Sequence, residues 1–185
     1  MHRRNTIRTT ARRTLTGVVG VLAIAGASLA TASPGQTAVV RCDGVAATIV
    51  GTPSGDVLIG TESRDVIAGR GGMDVITGLG GDDLICGGTG SDGIEAGDGD
   101  DKVLSGGSGD VVDGGFGADL IIAKGGNDEV EGGFGRDVIR GGNSDDTMDG
   151  NEGDDTITGN QGTDVAIGSL GDDTCDAETE ILCEN

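Results

Sequence analysis

Apolar residues recur at every ninth position over most of the chain. Each stands two places after an aspartate and between two variable residues, and glycine-rich stretches separate one such group from the next. Side chains alternate along a β-strand, so the middle residue of such a triplet faces one side and its neighbours the other. The pattern predicts a series of short strands that each send one side chain inward. The predicted inward residues are Leu58, Ile67, Ile76, Ile85, Ile94, Val103, Val112, Ile121, Val130, Ile139, Met148, Ile157, Ala166 and Cys175.

The aspartates that precede these residues keep the nine-residue phase without a slip. Four residues after each aspartate comes glycine or one of the small residues Ala96, Ser105, Ala123 and Ala177. Fourteen nine-residue units therefore fill residues 51–176, and a fixed period of this kind indicates a repeat architecture.

Glycine and acidic residues dominate the composition. The chain has 39 glycines in 185 residues, and two phenylalanines are its only aromatic residues. Such a chain cannot form an ordinary globular core, because it has few large apolar side chains and glycine raises the entropy lost on folding. Something other than core burial must supply stability. A merely disordered acidic chain is the alternative, but disorder does not require an apolar residue at a fixed phase.

The first 32 residues differ from the rest of the chain. They hold five arginines and no acidic residue, then an apolar run over residues 15–29, and they end in small residues. This organisation predicts a secretory signal peptide over residues 1–32, cleaved after Ala32. A retained membrane anchor is the alternative, and Arg12 with Arg13 also fits a twin-arginine export signal. The mature protein is therefore expected to be secreted.

Charge narrows the range of partners. Without residues 1–32 the chain has 7 basic and 32 acidic residues, which is a net charge of −25. Nucleic acid and anionic membrane surfaces are therefore not expected as partners, whereas cations are. The exported part also contains all four cysteines. An even number of cysteines in an oxidising compartment favours two disulfides over a metal cluster.

Two repeats show the motif most clearly. Residues 114–122 read Gly-Gly-Phe-Gly-Ala-Asp-Leu-Ile-Ile, and residues 132–140 read Gly-Gly-Phe-Gly-Arg-Asp-Val-Ile-Arg. They match the nonapeptide G-G-x-G-x-D-x-U-x, and the chain resembles the haemolysin-type (RTX) calcium-binding proteins. The resemblance implies an all-β fold, a right-handed parallel β-roll in which each repeat is a calcium-binding turn followed by a short strand. Two repeats make one coil in that family, so residues 51–176 would form about seven coils.

The flanking segments are expected to close the two ends of the roll. Residues 33–50 would be an N-terminal cap and residues 177–185 a C-terminal cap, and both look like those of small secreted members from actinobacteria. Caps matter because an uncovered coil presents unpaired strand edges. Four cysteines allow three pairings, and we predict the two that fasten these caps. The predicted pairs are Cys42–Cys86 and Cys175–Cys183.

The implied coils place the aspartates in two columns, one along each edge of the roll. Residues 18 apart would lie above one another at about 4.8 Å, where neighbouring carboxylates repel. A divalent cation between two carboxylates turns this repulsion into a net attraction. Carboxylates and turn carbonyls suit Ca²⁺ better than Mg²⁺, because Mg²⁺ demands a strict octahedron. Six gaps in each column could hold up to twelve ions in all, and fewer if poor turns fail to bind. The predicted calcium ligands are Asp56, Asp74, Asp92, Asp110, Asp128, Asp146 and Asp164 on one edge, and Asp65, Asp83, Asp101, Asp119, Asp137, Asp155 and Asp173 on the other.

Some turns depart from the motif. In four turns a serine replaces the glycine that stands two residues before the aspartate, and Pro53, Glu62 and Arg64 crowd the first turns. The serines are Ser54, Ser63, Ser108 and Ser144. These turns are expected to be the poorer sites. The first two repeats are expected to act as a cap that binds calcium weakly.

No enzymatic activity is expected. The only histidine is His2, inside the predicted signal peptide, and this excludes His-dependent triads and H-E-x-x-H zinc sites from the mature chain. The predicted function is that of a secreted calcium-binding protein that folds as the ions bind.

A calcium-rigidified adhesin or surface-interaction scaffold is the alternative function. Outward apolar residues would form a stripe on one sheet, which a cell-surface or protein partner could contact. Cover by residues 38–50 is the competing explanation of the same stripe. The stripe consists of Val66, Leu84, Leu104, Leu120, Ile122 and Val138.

Overall fold

The structure is a computed structural model that describes residues 38–183. The predicted signal peptide, residues 1–32, lies outside the described residues. Eighteen β-strands and no helix make up the regular structure of residues 38–183. Over that range, accordingly, no helix is long and apolar enough to cross a membrane.

The strands are numbered β1 to β18 in chain order. The odd-numbered strands are β1 Arg41–Cys42, β3 Ile49–Val50, β5 Val66–Gly71, β7 Leu84–Thr89, β9 Lys102–Gly107, β11 Leu120–Gly125, β13 Val138–Asn143, β15 Thr156–Gln161 and β17 Thr174–Asp176. The even-numbered strands are β2 Val45–Ala46, β4 Val57–Ile59, β6 Val75–Gly80, β8 Gly93–Asp98, β10 Val111–Phe116, β12 Glu129–Phe134, β14 Thr147–Glu152, β16 Val165–Ile167 and β18 Thr179–Ile181.

Sixteen of these strands form two parallel eight-stranded sheets. Strands β4 to β18 with even numbers form the even sheet, and strands β3 to β17 with odd numbers form the odd sheet. Paired residues from β3 to β17 are 18 apart in sequence, as Ile121 with Ile139 in the odd sheet and Val112 with Val130 in the even sheet. The chain thus alternates between the sheets at two repeats per coil, and the predicted all-β roll of about seven coils is confirmed.

The core between the sheets is one side chain thick from each strand. All fourteen residues predicted to point inward belong to one buried cluster, from Leu58, 9% exposed, to Ile67, which is fully buried. Small residues four places after the aspartate, such as Ala96 and Ala123, fill the space beside them. This thin core explains why the repeats need no aromatic residue inside.

The strands are longer than the nonapeptide motif suggests. Strand β11 runs over six residues, Leu120–Gly125, and leaves only Gly126, Asn127 and Asp128 for the turn. Lys124 has a φ of 80° inside this strand. Parallel pairing continues across it because Gly142, its partner in the next coil, has the same left-handed conformation with a φ of 125°.

Strands β1 and β2 form an antiparallel hairpin on the outer face of the odd sheet. A disulfide joins Cys42 of β1 to Cys86 of β7, with a Cα–Cα distance of 5.6 Å. An ion pair of 2.7 Å joins Lys102 of β9 to Asp43. The predicted N-terminal pairing is confirmed, and the bond fastens the leading segment over the first coils.

The hairpin covers half of the apolar stripe that the sequence predicts on the odd sheet. Val66, Leu84 and Leu104 are buried in the cluster that contains Cys42. Ile122 packs only partly against that cluster, and Val138 is likewise half-buried. The covering explanation therefore holds for the first three residues of the stripe.

The last coil is closed by a strand that is not a repeat. Strand β18 pairs with β16, and the second disulfide joins Cys175 to Cys183 at a Cα–Cα distance of 5.9 Å, as predicted. The Glu178 carboxylate accepts a 2.9 Å hydrogen bond from the backbone N–H of Asp164. In the coils below, an aspartate side chain accepts this bond.

Candidate metal-binding turns

The aspartates form the two predicted columns, and hydrogen bonds hold each column together. The backbone N–H of each aspartate donates to Oδ1 of the aspartate 18 residues later, as from Asp101 to Asp119 at 2.8 Å and from Asp110 to Asp128 at 2.8 Å. All twelve steps along the two columns show this bond, at 2.7 to 2.9 Å. One carboxylate oxygen of each acceptor is therefore fixed by the backbone.

The second carboxylate oxygen has no partner in twelve of the fourteen aspartates. In each of the twelve, Oδ2 is buried and makes no hydrogen bond. Buried polar atoms are otherwise almost always paired, and leaving one unpaired costs about 1–3 kcal/mol. The twelve residues are Asp74, Asp83, Asp92, Asp101, Asp110, Asp119, Asp128, Asp137, Asp146, Asp155, Asp164 and Asp173.

Asp56 and Asp65, the first residue of each column, differ from the other twelve. Oδ2 of Asp56 accepts from both the N–H and the hydroxyl of Thr52, at 2.6 and 2.9 Å. Oδ2 of Asp65 accepts the same two bonds from Thr61, at 2.7 and 2.9 Å. In these two turns the protein itself supplies the donors that the other twelve carboxylates lack.

The backbone of the turn explains this difference. From the third repeat onward, the residue four places before the aspartate has a positive φ. It is a glycine or one of the residues Arg70, Leu79, Lys124, Asn151, Asn160 and Ser169. Thr52 and Thr61 occupy the same place but do not share that conformation. A β-branched residue at positive φ is strongly disfavoured, so threonine at this place indicates a different turn. The two threonines are visible in the sequence, but the expectation of weak turns rested on the serines and on Pro53, Glu62 and Arg64 instead.

The serines predicted to weaken turns fall into two groups. Ser108 and Ser144 have φ values of 84° and 79° and so adopt the turn conformation of the glycines they replace. Ser54 and Ser63 do not have positive φ and lie in the two threonine turns. Serine alone therefore does not change the turn.

Glycine five places before the aspartate borders the carboxylate. A Cβ added at Gly114 would stand 2.7 Å from Oδ2 of Asp119, and one at Gly78 would stand 2.6 Å from Oδ2 of Asp83. Real Cβ atoms do not approach other atoms so closely. The glycine thus leaves the unpaired oxygen free on the side that faces the core.

Burial makes these carboxylates unfavourable as anions. Desolvation, with a smaller contribution from neighbouring aspartates, raises the pKa of Asp119 to about 7 against the lowering effect of its backbone hydrogen bond. The pKa of Asp83 and of Asp92 is raised to about 6 in the same way. Burial also raises the pKa of the neighbouring Asp101 and Asp137. A cation beside the columns would therefore favour their ionised form.

The donor set fits a hard cation that binds oxygen. Each turn contributes one column aspartate together with its backbone carbonyl oxygens, and some turns add an exposed second carboxylate, such as Asp82 or Asp100. Within residues 38–183 no three His, Cys, Asp or Glu side chains converge on one point, so most ligands would have to be carbonyl oxygens. Calcium accepts six to eight oxygens in adaptable geometry, whereas Mg²⁺ and zinc demand stricter arrangements. The turns therefore suit Ca²⁺.

The two parallel sheets, with one column aspartate in each connecting turn, define a β-roll with a row of carboxylates along each edge. A family model described as RTX calcium-binding nonapeptide repeat (4 copies) matches residues 50–85, 59–94, 87–121, 122–157 and 140–175. Because these matches together span residues 50–175, the chain belongs to the RTX calcium-binding nonapeptide repeat family. A search of curated proteins found no match.

Proposed function

We propose that this chain is a secreted protein that binds Ca²⁺ ions between successive coils and folds as they bind. One observation carries the proposal: twelve buried carboxylate oxygens without a partner, stacked in two columns. A bound Ca²⁺ ion would supply the positive charge that offsets both their desolvation and their mutual repulsion. Membership of the calcium-binding family independently supports calcium as the ion.

The ligand set is narrower than the fourteen aspartates that the sequence predicts. Asp56 and Asp65 already receive two hydrogen bonds each from their threonines. We therefore assign them to a metal-independent cap of the first coil. Six aspartates remain in each column, and the five gaps between them give ten sites in all, which is below the upper limit of twelve expected from the sequence.

Calcium binding and folding are coupled in this proposal. The thin core buries one apolar side chain per strand, so the ions must contribute a large share of the stability. At ten times its dissociation constant each site adds about 1.4 kcal/mol. Extracellular calcium modules bind at about 10⁻⁴ to 10⁻³ M, so the chain would stay unfolded where calcium is scarce and fold outside the cell.

Secretion is part of the proposal. Residues 1–32 have the organisation of a signal peptide, and the two disulfides fit an oxidising compartment. The mature chain would then consist of an N-terminal cap over 33–50, the roll over 51–176 and a C-terminal cap over 177–185. We propose no catalytic role, since the repeats serve as calcium-binding structure.

A calcium-rigidified surface scaffold is the second candidate function. Leu120, Ile122 and Val138 extend the apolar stripe beyond the hairpin and are only half-buried. They would offer a cell-surface or protein partner a contact area on the odd sheet. Retention of the folded protein on cell-wall material or host glycans would favour this function, and Leu120→Ser with Val138→Ser should abolish that retention.

The primary test combines far-UV circular dichroism with ion counting. Protein purified from the culture medium should lack β signal in EGTA and gain it cooperatively with Ca²⁺, but not with the same concentration of Mg²⁺. Equilibrium dialysis should then count about ten bound ions per chain. A spectrum that does not change across the calcium titration would refute the proposal.

A further inference from the structure

The even sheet has a strongly acidic outer face. Its strands carry eight acidic residues and no lysine or arginine, whereas strands β3 to β17 of the odd sheet carry four basic residues and one acidic residue. Seven of the eight acidic residues of the even sheet lie on the outer face, namely Glu95, Asp98, Asp113, Glu129, Glu131, Asp149 and Glu152, and the eighth, Glu180, pairs with the inward residue Ala166. Neither ion pair found within residues 38–183 involves this face.

A groove of about 450 Å³ runs along this face, parallel to the roll axis. Gly97, Gly115 and Gly133 form its floor, because these outward positions carry no side chain. Leu79 and Asn151 occupy the same column at the two ends. The wall nearer the strand starts consists of Thr77, Glu95, Asp113 and Glu131, and the opposite wall consists of Asp98, Phe116, Phe134 and Glu152.

The opposite wall contains the only two aromatic residues of the chain. The rings of Phe116 and Phe134 are stacked with centroids 4.7 Å apart and an interplanar angle of 7°, and the residues are 56% and 47% exposed. The strand register places Asp98 beside Phe116 and Glu152 beside Phe134. The stacked pair thus has a carboxylate next to each of its outer faces.

An open depression lies at one of these junctions. It is lined by Asp98, Gly99, Phe116 and Gly117. A cation held there would meet a carboxylate on one side and a ring face on the other. The guanidinium of arginine suits this arrangement, because it is planar, stacks on aromatic rings and pairs with carboxylates. Glu152 and Phe134 repeat the same combination at the other end of the stack.

We propose that this groove binds an extended, arginine-bearing segment of another secreted or surface protein. The groove crosses five coils, from Thr77 of β6 to Glu152 of β14, a length of about 19 Å, which an extended segment of about six or seven residues spans. Alternate residues of that segment would face the groove, with arginines against the acidic wall and at the two ends of the phenylalanine stack. The groove exists only in the folded roll, so this proposal rests on the proposed calcium-dependent folding.

The test measures binding of a fluorescent Gly-Arg-Gly-Arg-Gly-Arg-Gly peptide to the calcium-loaded protein by anisotropy. Phe116→Leu with Phe134→Leu keeps the charge and should weaken binding about fivefold through lost ring contacts. Asp98→Asn with Glu152→Gln should weaken it by about tenfold. The matched control, Asp145→Asn with Asp176→Asn, removes two charges elsewhere on the roll and should change the dissociation constant by less than about twofold.

Several outcomes would refute the proposal that the groove binds an arginine-bearing segment. Equal weakening by the two acidic pairs would show bulk attraction to a protein of high negative charge, and an unchanged affinity in the leucine variant would show that the rings only stack on each other. A peptide-free dimer that both groove variants abolish would make a second copy the occupant. Circular dichroism of each sample separates these results from failure to fold with calcium, and Phe116→Tyr with Phe134→Tyr should retain binding.

Discussion

The backbone N–H of Asp101 donates a 2.8 Å hydrogen bond to Oδ1 of Asp119, one coil further along the roll, while Oδ2 of Asp119 is buried without a partner. The two oxygens of one carboxylate therefore have different roles. One oxygen joins neighbouring coils through the backbone, and the other is available to a cation. Substitutions of this aspartate can therefore separate the stability that the hydrogen bond contributes from the stability that the bound cation contributes.

Asp119→Ala should cost about 3 kcal/mol of unfolding free energy at a calcium concentration ten times the dissociation constant, because it removes a ligand shared by two sites of about 1.4 kcal/mol each. The count of bound ions should fall by two. Asp119→Asn should lose the same two ions, but it keeps the Oδ1 acceptor for the N–H of Asp101. It should therefore retain the stability that this hydrogen bond contributes. Urea unfolding at fixed calcium measures both variants.

Asp56→Ala is the matched control, because its carboxylate is occupied by Thr52. It should cost about 1 kcal/mol, the usual cost of losing such a hydrogen-bonded cap, with no change in the ion count. Equal ion loss in the Asp56 and Asp119 variants would contradict the assignment of the first coil to a metal-independent cap.

Lowering the pH should stabilise the calcium-free roll but weaken calcium binding. Burial raises the pKa of Asp119 to about 7 and that of Asp128, Asp146 and Asp155 to about 6, all above the unfolded value near 3.9. Protonated carboxyls therefore stabilise the ion-free roll below about pH 4, and this contribution is lost as the pH rises through 6 to 7. Calcium-depleted protein should gain β signal when the pH falls from 7.5 to 5.

With calcium present the same protons compete for the carboxylates. The calcium concentration at the folding midpoint should therefore be several times higher at pH 5.5 than at pH 7.5. Circular dichroism titrations at the two pH values check both halves of this prediction. A calcium midpoint that is independent of pH would show that the buried aspartates are not the ligands.

Lys124→Gly should stabilise the calcium-loaded roll by about 1 kcal/mol, because Lys124 is a non-glycine residue at a φ of 80°. Glu129→Gly provides the control, since Glu129 is an exposed strand residue without positive φ and its replacement by glycine should destabilise. Thermal unfolding at saturating calcium compares the two. A loss of stability in the Lys124 variant would show that the left-handed position carries no strain.

The sequence predicts the repeating part of this molecule because one residue per repeat decides each feature. The inward place of Ile121 follows from its phase after Asp119, and a constant phase fixes the register of 18 residues between coils. Weak calcium binding by the first two repeats was expected from the sequence. The hydrogen bonds from Thr52 and Thr61 to their aspartates were not predicted, because they depend on the φ of the two threonines, which a motif comparison does not consider. The groove was not predicted either, since Phe116 and Asp98 become neighbours only once the outward columns are placed.

The two disulfides should contribute unequally to stability. The Cys42–Cys86 bond closes 44 residues, whereas the Cys175–Cys183 bond closes only 8. Because a longer closed loop removes more entropy from the unfolded chain, the first bond should be worth about 4 kcal/mol and the second about 2.5 kcal/mol. Urea unfolding of Cys42→Ser/Cys86→Ser and of Cys175→Ser/Cys183→Ser at saturating calcium measures the two losses.

Loss of the first bond should also uncover part of the odd sheet. The hairpin would then be held mainly by the exposed ion pair between Lys102 and Asp43, which contributes little by itself. Val66 and Leu84, now buried beneath the hairpin, would become accessible and bind an apolar dye. Loss of the second bond should leave this face covered. Dye binding that rises equally in both variants, or a larger stability loss from the shorter loop, would contradict the role of the N-terminal bond as the fastener of the hairpin.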